Sequence, residues 1–482
     1  MKNAVYVYRD DSCEYPQAGD GYSPSVNYPE YSLGTVSTRE NRVYDAVREC
    51  FHGMGMDEGH FGSEEWNPLG DIIKPGNTVL IKPNFVLHTN QQRGMDCLVT
   101  HPAVLRAVID YVLIALKGGG RLTVGDAPVQ GCDFAELLSN AHYDEVLKFY
   151  RDKDVNMDFV DFRGTVTRRG KMGRLFQRAV PGAHDAAKVV NIGEDSAFYS
   201  LEHTERLRIT NYDRSDLHSH HHDSVHEYML TRHALDADVI INLPKPKTHR
   251  KAGITAALKN LVGLNVEKNY LPHHTQGGKN RGGDEYPVEN PLRRMFSKFC
   301  DASDRANSRG NAVGAFIFWL FRGFTLLLMR AFLRNGRTRI SEGSWYGNDT
   351  IWRTVNDLNR IALYADKDGI LRDGRQRVIF TVADMITLGE GEGPLMPSPK
   401  HAGMIVAAAN SVDADGVICR LMGVPVSDIP CIRNAGFGHR YVIGSDSPEV
   451  LSNDPSICAA RVEDLDEKKF DKVIMSAGWR RD

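Results

Sequence analysis

No Cys-x-x-Cys pair occurs anywhere in the 482 residues, although the chain has eight cysteines scattered from Cys13 to Cys458. Zinc ribbons and ferredoxin-type clusters need closely spaced thiolates, so neither is supported, and no iron–sulfur cluster is expected. Gly-Lys-Ser/Thr is absent as well, which removes a Walker-type phosphate loop. The start, Met1-Lys2-Asn3-Ala4-Val5-Tyr6, has no apolar run of the signal-peptide kind, so reduced thiols and a cytoplasmic setting are expected. A basic excess is also missing. Lys and Arg number 59 against 62 Asp and Glu, a formal net charge of -3, whereas a dedicated nucleic-acid binder carries surplus positive charge. No nucleic-acid partner is expected. Forty-four glycines without a period, 41% hydrophobic residues and eighteen tyrosines exclude a collagen-like or disordered chain.

The balance hides one asymmetry. Residues 292–339 hold ten Lys/Arg against two Asp, a local +8 that leaves -11 for the remainder. Around this segment, strand-like and helix-like patterns alternate. Residues 78–82 are β-branched after Pro75-Gly76, residues 103–117 have helical spacing behind Pro102, and Gly118-Gly119-Gly120 ends them before a second strand at 121–124. Further strands are expected at 156–161, 188–192, 239–243, 378–384 and 404–409, with helices at 254–262, 350–364 and 413–422. Such alternation predicts an α/β fold with a parallel or mixed sheet in two α/β halves. The expected organisation is an N-terminal extension (1–75), a first half (76–266), an insertion with a basic, partly hydrophobic helix (267–343) and a second half (344–482).

Ligands of open α/β sheets bind beyond the carboxyl ends of strands, so the residues just after each strand are the candidates. They are Lys82 and Asn84; Asp126; Lys245, Lys247 and His249 with Lys259 and Asn260; and Asp384, Glu390 and Glu392. Basic residues from Lys245 to Lys251 crowd the expected start of a helix, where free N–H groups already attract anions, so an external anion is expected there. Lys82, Asn84, Lys245, Lys247, Asn260, His273 and His274 are assigned to substrate, with His249, Asp126 and Lys259 as catalytic. His249, beside two lysines, is expected to stay neutral and act as general acid or base. Asp384, Glu390 and Glu392 near one strand end need a counter-charge: a divalent cation (magnesium, manganese or calcium), or lysines of the first half. The His-rich run from His218 to His226 fits no specific zinc spacing.

Val79-Leu80-Ile81-Lys82-Pro83-Asn84, Thr100-His101-Pro102, Gly125-Asp126-Ala127-Pro128, Ile240 to His249, Lys259 to Gly263 and Glu390 to Pro394, with Asp413 and Asp415, form an ordered series. Over residues 76–440 it resembles the family called domain of unknown function 362. Leu271 to His274, Gly282 to Pro287 and Gly343 to Asp349 resemble a branch associated with exopolysaccharide or surface-glycan biosynthesis. Some relatives carry a four-cysteine iron–sulfur module, whose cysteines this chain lacks. A similarity to lactate-racemase-like proteins implies a two-domain α/β architecture with the site between domains.

The expected function is therefore an enzyme acting on an anionic, phosphorylated, carboxylated or lipid-linked carbohydrate in a cleft between the halves. The alternatives are a non-catalytic accessory protein of glycan assembly and a disfavoured iron–sulfur redox protein. Residues 311–333 are expected to form a helix long enough to cross a bilayer. However, Arg322, Arg330, Arg334 and Arg337 share one sector beside a wide apolar face, which suits a helix lying in an anionic membrane interface. A core or dimer helix is the other reading, and a homo-oligomer stays open.

Overall fold

The computed structural model describes residues 2–91, 93–170, 175–332, 340–436 and 439–480. Ten strands form one mixed sheet: β1 (Ala4–Arg9), β2 (Thr78–Pro83), β3 (Arg121–Asp126), β4 (Met157–Asp161), β5 (Val239–Leu243), β6 (Lys247–His249), β7 (Gly253–Thr255), β8 (Val378–Glu392), β9 (Met396–Ala408) and β10 (Glu449–Ser452). Their order is β10-β1-β9-β8-β5-β2-β3-β4, with the β6–β7 hairpin attached beside β8. Strands β8, β5, β2, β3 and β4 run parallel, whereas β9 is antiparallel to both β8 and β1. The expected mixed α/β sheet is thus present. Both halves build it, since β5 pairs β8 from Val239↔Val378 to Asn242↔Thr381. The N-terminal segment enters the same sheet through β1, whose Ala4-Val5-Tyr6-Val7 run is buried between β9 and β10.

Side-chain alternation along the strands sorts two cores onto the two faces. Val79, Ile81, Val239, Ile241, Phe380 and Ile405 pack with helices α1 (Arg42–Gly53) and α2 (Pro102–Leu116). On the other face, Leu80, Ile240, Ile379 and Val406 pack with α5 (Ile351–Tyr364) and α6 (Ser411–Leu421). Between these pairs in sequence lie α3 (Pro291–Ser308) and α4 (Ala312–Phe332), packed side by side, with Phe299 stacked on Phe321. Helix α2 starts as its sequence requires: His101 caps Ala103 N, and Pro102 takes the first helical position. It stops where Lys117, Gly118 and Gly120 take positive φ. A Cβ on Gly120 would lie 2.3 Å from Asn77 O, so only glycine fits that turn into β3.

The expected helix at 254–262 is not one. Residues 253–255 form β7, followed by a four-residue helix, Ala257–Asn260, and a 3-10 turn, Leu261–Leu264. β7 pairs β6, and tertiary pairing overrides the apolar spacing that reads as helical.

Candidate functional site

Beyond the carboxyl ends of β2, β3 and β5 opens a cleft of about 730 Å³. Its floor is set by the β2 and β3 termini. Lys82 Nζ pairs with Asp126 Oδ1 at 2.7 Å and donates to Pro83 O at 2.8 Å, while Asp126 Oδ2 accepts Phe85 N at 2.7 Å. Asn260 Nδ2 bridges Lys82 O and Asn242 Oδ1 at 3.0 and 2.8 Å. A Cβ on Gly263 would sit 1.9 Å from Asp126 Oδ1 and 2.9 Å from Lys82 Nζ, so a glycine lets the 3-10 turn close over this pair.

Above the floor, Lys251, Lys259 and Lys268 line the cleft with His249, Arg250 and His273. Among the described residues none of these three lysines has a carboxylate within salt-bridge reach. Lys251 Nζ is buried without any hydrogen-bond partner, and Lys268 Nζ reaches only Ala127 O at 3.4 Å. Burial pulls all three amines down to about 8; Lys268 reinforces the effect on Lys259. Wall positions come from Thr210, Tyr212 and Gln130, the last two hydrogen-bonded to each other.

The two histidines are set in opposite tautomers. His249 Nδ1 accepts Lys251 N and Ala252 N at 3.0 and 3.1 Å. Burial, then Lys259 and Arg250, hold its pKa well below 6.5, so the neutral ring carries its proton on Nε2. A ring in that state donates a hydrogen bond and has no free lone pair, which corrects the expectation of a proton-accepting His249. His273 faces the reverse constraint: Nδ1 lies 2.7 Å from Leu271 O and must donate, leaving Nε2 as the acceptor. Burial and Lys251 depress its pKa too. His274, the neighbouring candidate, is buried in a short pairing with Leu207–Arg208 and does not line the cleft.

Other candidates lie elsewhere. Lys245 is fully buried and pairs with Asp384 Oδ2 at 3.0 Å; Tyr15 bridges the two, and His101 N donates to the same carboxylate at 2.8 Å. Lys247 donates to Asn84 Oδ1 and Leu98 O, and burial, with Lys245 nearby, lowers it to about 7. Neither lysine is available to substrate, because each points into the sheet–loop junction rather than the cleft. The expected anion at the following helix start is the chain's own: Asp415 accepts Ala257 N and Leu258 N at 2.6 and 3.0 Å. Asp384, Glu390 and Glu392 do not converge, since Glu390 accepts Ile474 N and Glu392 accepts Ala477 N, both at 2.9 Å, along the extended β8 hairpin. Of these three carboxylates, only Asp384 meets a lysine among the described residues. Among the described residues no group of three His, Cys, Asp or Glu side chains is arranged around a metal position, the histidine run included.

The family described as Domain of unknown function (DUF362) matches residues 79–194 and 180–420, most of the chain. The chain belongs to this family. A thylakoid-associated protein of Synechocystis sp. is 28% identical over 218 residues, 45% of this chain and 48% of that protein. The match spans about half the length of that relative, and the thylakoid association in its name is that protein's own.

The segments that carry the family resemblance supply the floor of the cleft: Lys82 from β2 and Asn84 just after it, Asp126 from β3, Asn260 and Gly263 beneath the lysines, and Asp415 capping the short helix. Lys251 and Lys268 were not among the assigned residues. Lys268 stands five residues before His273, and that shared cluster of bases is the signal that points to it. The cleft is walled mainly by residues 84–273, with Pro394 and Leu395 the contribution of the second half. Because one sheet runs through both halves, the opening follows the strand ends rather than a seam between domains. The boundary at 266 also cuts the site, separating Lys259 from Lys268.

Proposed function

We propose that this chain is an enzyme that takes an anionic, carbohydrate-type substrate into the cleft above β2, β3 and β5. One observation carries the reading: three lysines with no carboxylate partner among the described residues line the cleft with a neutral imidazole donor. Ammonium groups without a counter-charge, Lys251 buried and Lys259 and Lys268 half-buried, are costly, and a phosphate or carboxylate on the ligand would relieve them. His249 Nε2–H is positioned as a donor to an oxygen that gains charge, and it donates without a prior proton transfer. His273 Nε2 is the acceptor available for a proton, and lysines near neutrality can hold or return one. These roles fit chemistry that builds an oxyanion beside a bound phosphate or carboxylate. A divalent cation would enter on the substrate's own phosphate oxygens, since Asp126 has both carboxylate oxygens engaged.

The resemblance of Leu271 to His274 to a glycan-associated branch supports a saccharide rather than a small inorganic anion, and Leu271 and His273 of that segment stand in the wall. A cytoplasmic protein at a membrane surface, working on a lipid-linked or nucleotide-linked sugar, is the setting this reading calls for. One observation favours a second reading, an accessory protein that binds such a ligand without turnover: the cleft carboxylate Asp126 is held by Lys82 and Phe85 N, so no free carboxylate base lines the cleft among the described residues.

Calorimetric titration with a sugar phosphate, its neutral sugar and pyrophosphate tests the anion site. Sugar phosphate should bind, the neutral sugar should not, and Lys259→Met should lose the heat while remaining folded. Equal affinity of Lys259→Met and parent would sink the proposal. Mass spectrometry of what copurifies then separates turnover from retention: an unchanged ligand that incubation leaves intact favours the accessory reading.

A further inference from the structure

Of the three cleft lysines, one is placed to react as well as to attract. Lys251 Nζ is buried, and Lys268 Nζ leans on Ala127 O at 3.4 Å. Lys259 is half-buried on the cleft wall, and among the described residues its Nζ has no hydrogen-bond or ion-pair partner. Its backbone is held on both sides. Asp415 accepts Leu258 N at 3.0 Å, Asn359 Nδ2 donates to Leu258 O at 2.9 Å, and Asn260 Nδ2 is tied to Lys82 O and Asn242 Oδ1. A free amine on a fixed stem is the geometry that an attacking group needs.

Crowding decides its protonation. Burial, then the Lys268 cation, drives the proton off Lys259; Lys82 adds to them, while Cys431 and Asp126 oppose. The amine falls to about 8, so near neutrality a usable fraction carries an unshared pair. Nor does the far wall supply a counter-charge. Glu342, the carboxylate acting most on Lys251, accepts Thr210 Oγ1 at 3.1 Å and lies 3.8 Å from Arg322 of α4. Arg322 is thus turned inward over the Phe296 ring and belongs to no outward arginine stripe, while Arg334 and Arg337 lie outside the described residues.

A phosphate needs cations, and Arg250, Lys251 and Lys268 are there to hold one. It has no use for a neutral amine. An electrophilic carbonyl does, and it also uses the His249 Nε2–H, which can hydrogen-bond the carbonyl oxygen as charge builds on it. We propose that Lys259 is the nucleophile of the cleft and forms an imine with the aldehyde or ketone of an open-chain sugar phosphate. This rests on the anionic-carbohydrate reading and narrows it to the carbonyl form. The N–C bond forms as the C=O π pair moves to oxygen, and His273 Nε2 carries one proton from the nitrogen to that oxygen. The C–O bond then breaks, the oxygen takes a second proton from the Lys268 ammonium and leaves as water, and the nitrogen pair closes the C=N bond. Nothing is oxidised or reduced.

The test incubates the full chain with glyceraldehyde 3-phosphate, which is too short to close a ring, and cyanoborohydride, which reduces an iminium to a stable secondary amine. Peptide mass spectrometry should place the adduct on Lys259 at about pH 7.5, formed roughly tenfold or more faster than on the exposed Lys298. The rate should rise with pH through about 8. Lys259→Arg keeps a cation but not the nucleophile. It should bind glycerol 3-phosphate, the counterpart without a carbonyl, within a few-fold of the parent by calorimetry, and trap no aldehyde in the cleft. An adduct on Lys251 or Lys268 instead, cleft trapping that survives Lys259→Arg, or a rate that rises only near the ordinary 10.5 would each overturn the proposal. Glycerol 3-phosphate bound by the parent with no aldehyde trapped would end the imine and leave the anion site standing. Neither bound nor trapped would end both.

Discussion

Two groups of lysines, close in sequence, are treated oppositely by the fold. Lys245 and Lys247 are closed in. The first shares Asp384 with Tyr15 and His101, and the second is held by the oxygens of Asn84 and Leu98. Lys251, Lys259 and Lys268 stand open to a cleft with no carboxylate partner among the described residues. A paired buried charge is part of the scaffold. An unpaired one is a standing cost that only a ligand removes, so the contrast separates structural from functional cations. Tyr15 enforces the difference, because the N-terminal segment plugs the Lys245–Asp384 corner and leaves the other cluster uncovered.

Breaking the closed pair should have the largest effect. Asp384→Ala strands the Lys245 ammonium in the interior, and chemical denaturation should show a loss of about 3–5 kcal/mol. Combining it with Lys245→Met should recover much of that loss; a double variant as weak as the single one would mean the pair is not the cause. Asp415→Ala removes the acceptor for two buried N–H groups and should cost about 2–3 kcal/mol by the same measurement.

Removing an open lysine should do the reverse. Lys259→Met or Lys268→Met should leave stability unchanged or raised, yet weaken sugar-phosphate binding by about 1.5–3 kcal/mol, read by calorimetry. Stability should also follow pH in a defined direction. With folded values near 8 against an ordinary 10.5, the unfolded chain holds more protons between those limits, so the ligand-free protein should gain stability as pH rises above 8. Buried tyrosines such as Tyr44 and Tyr143, raised well above 10, reverse the slope beyond pH 10. Thermal midpoints from pH 7 to 11 should trace that rise and fall, and a bound phosphate ligand should flatten the rise. The smallest effect concerns His249. Nitrogen-15 spectra should show a neutral ring protonated on Nε2 at pH 6, and His249→Gln, which retains a donor, should bind the anion within a few-fold of the parent.

Local chemistry is what the sequence by itself determined. Strand and helix patterning led to β2, β3, β5, α2, α5 and α6, because burial on a face imposes a period that a single chain displays. Reading the residues after each strand led to Lys82, Asn84, Asp126, His249, Lys259 and Asn260, all at the cleft or its floor, because parallel strands present their carboxyl ends together. Only the tertiary structure decided which lysines are compensated, since Asp384 reaches Lys245 across more than a hundred residues, and so does Asp415 to the helix at Ala257. It also decided the tautomers of His249 and His273, which depend on backbone groups: N–H groups in the β6–β7 turn for His249, and the carbonyl of Leu271 for His273. And it decided that α4 cannot cross a bilayer as a single span: its composition allows one, but strands from either side of it share one sheet, and pairing between distant segments leaves no trace in local composition.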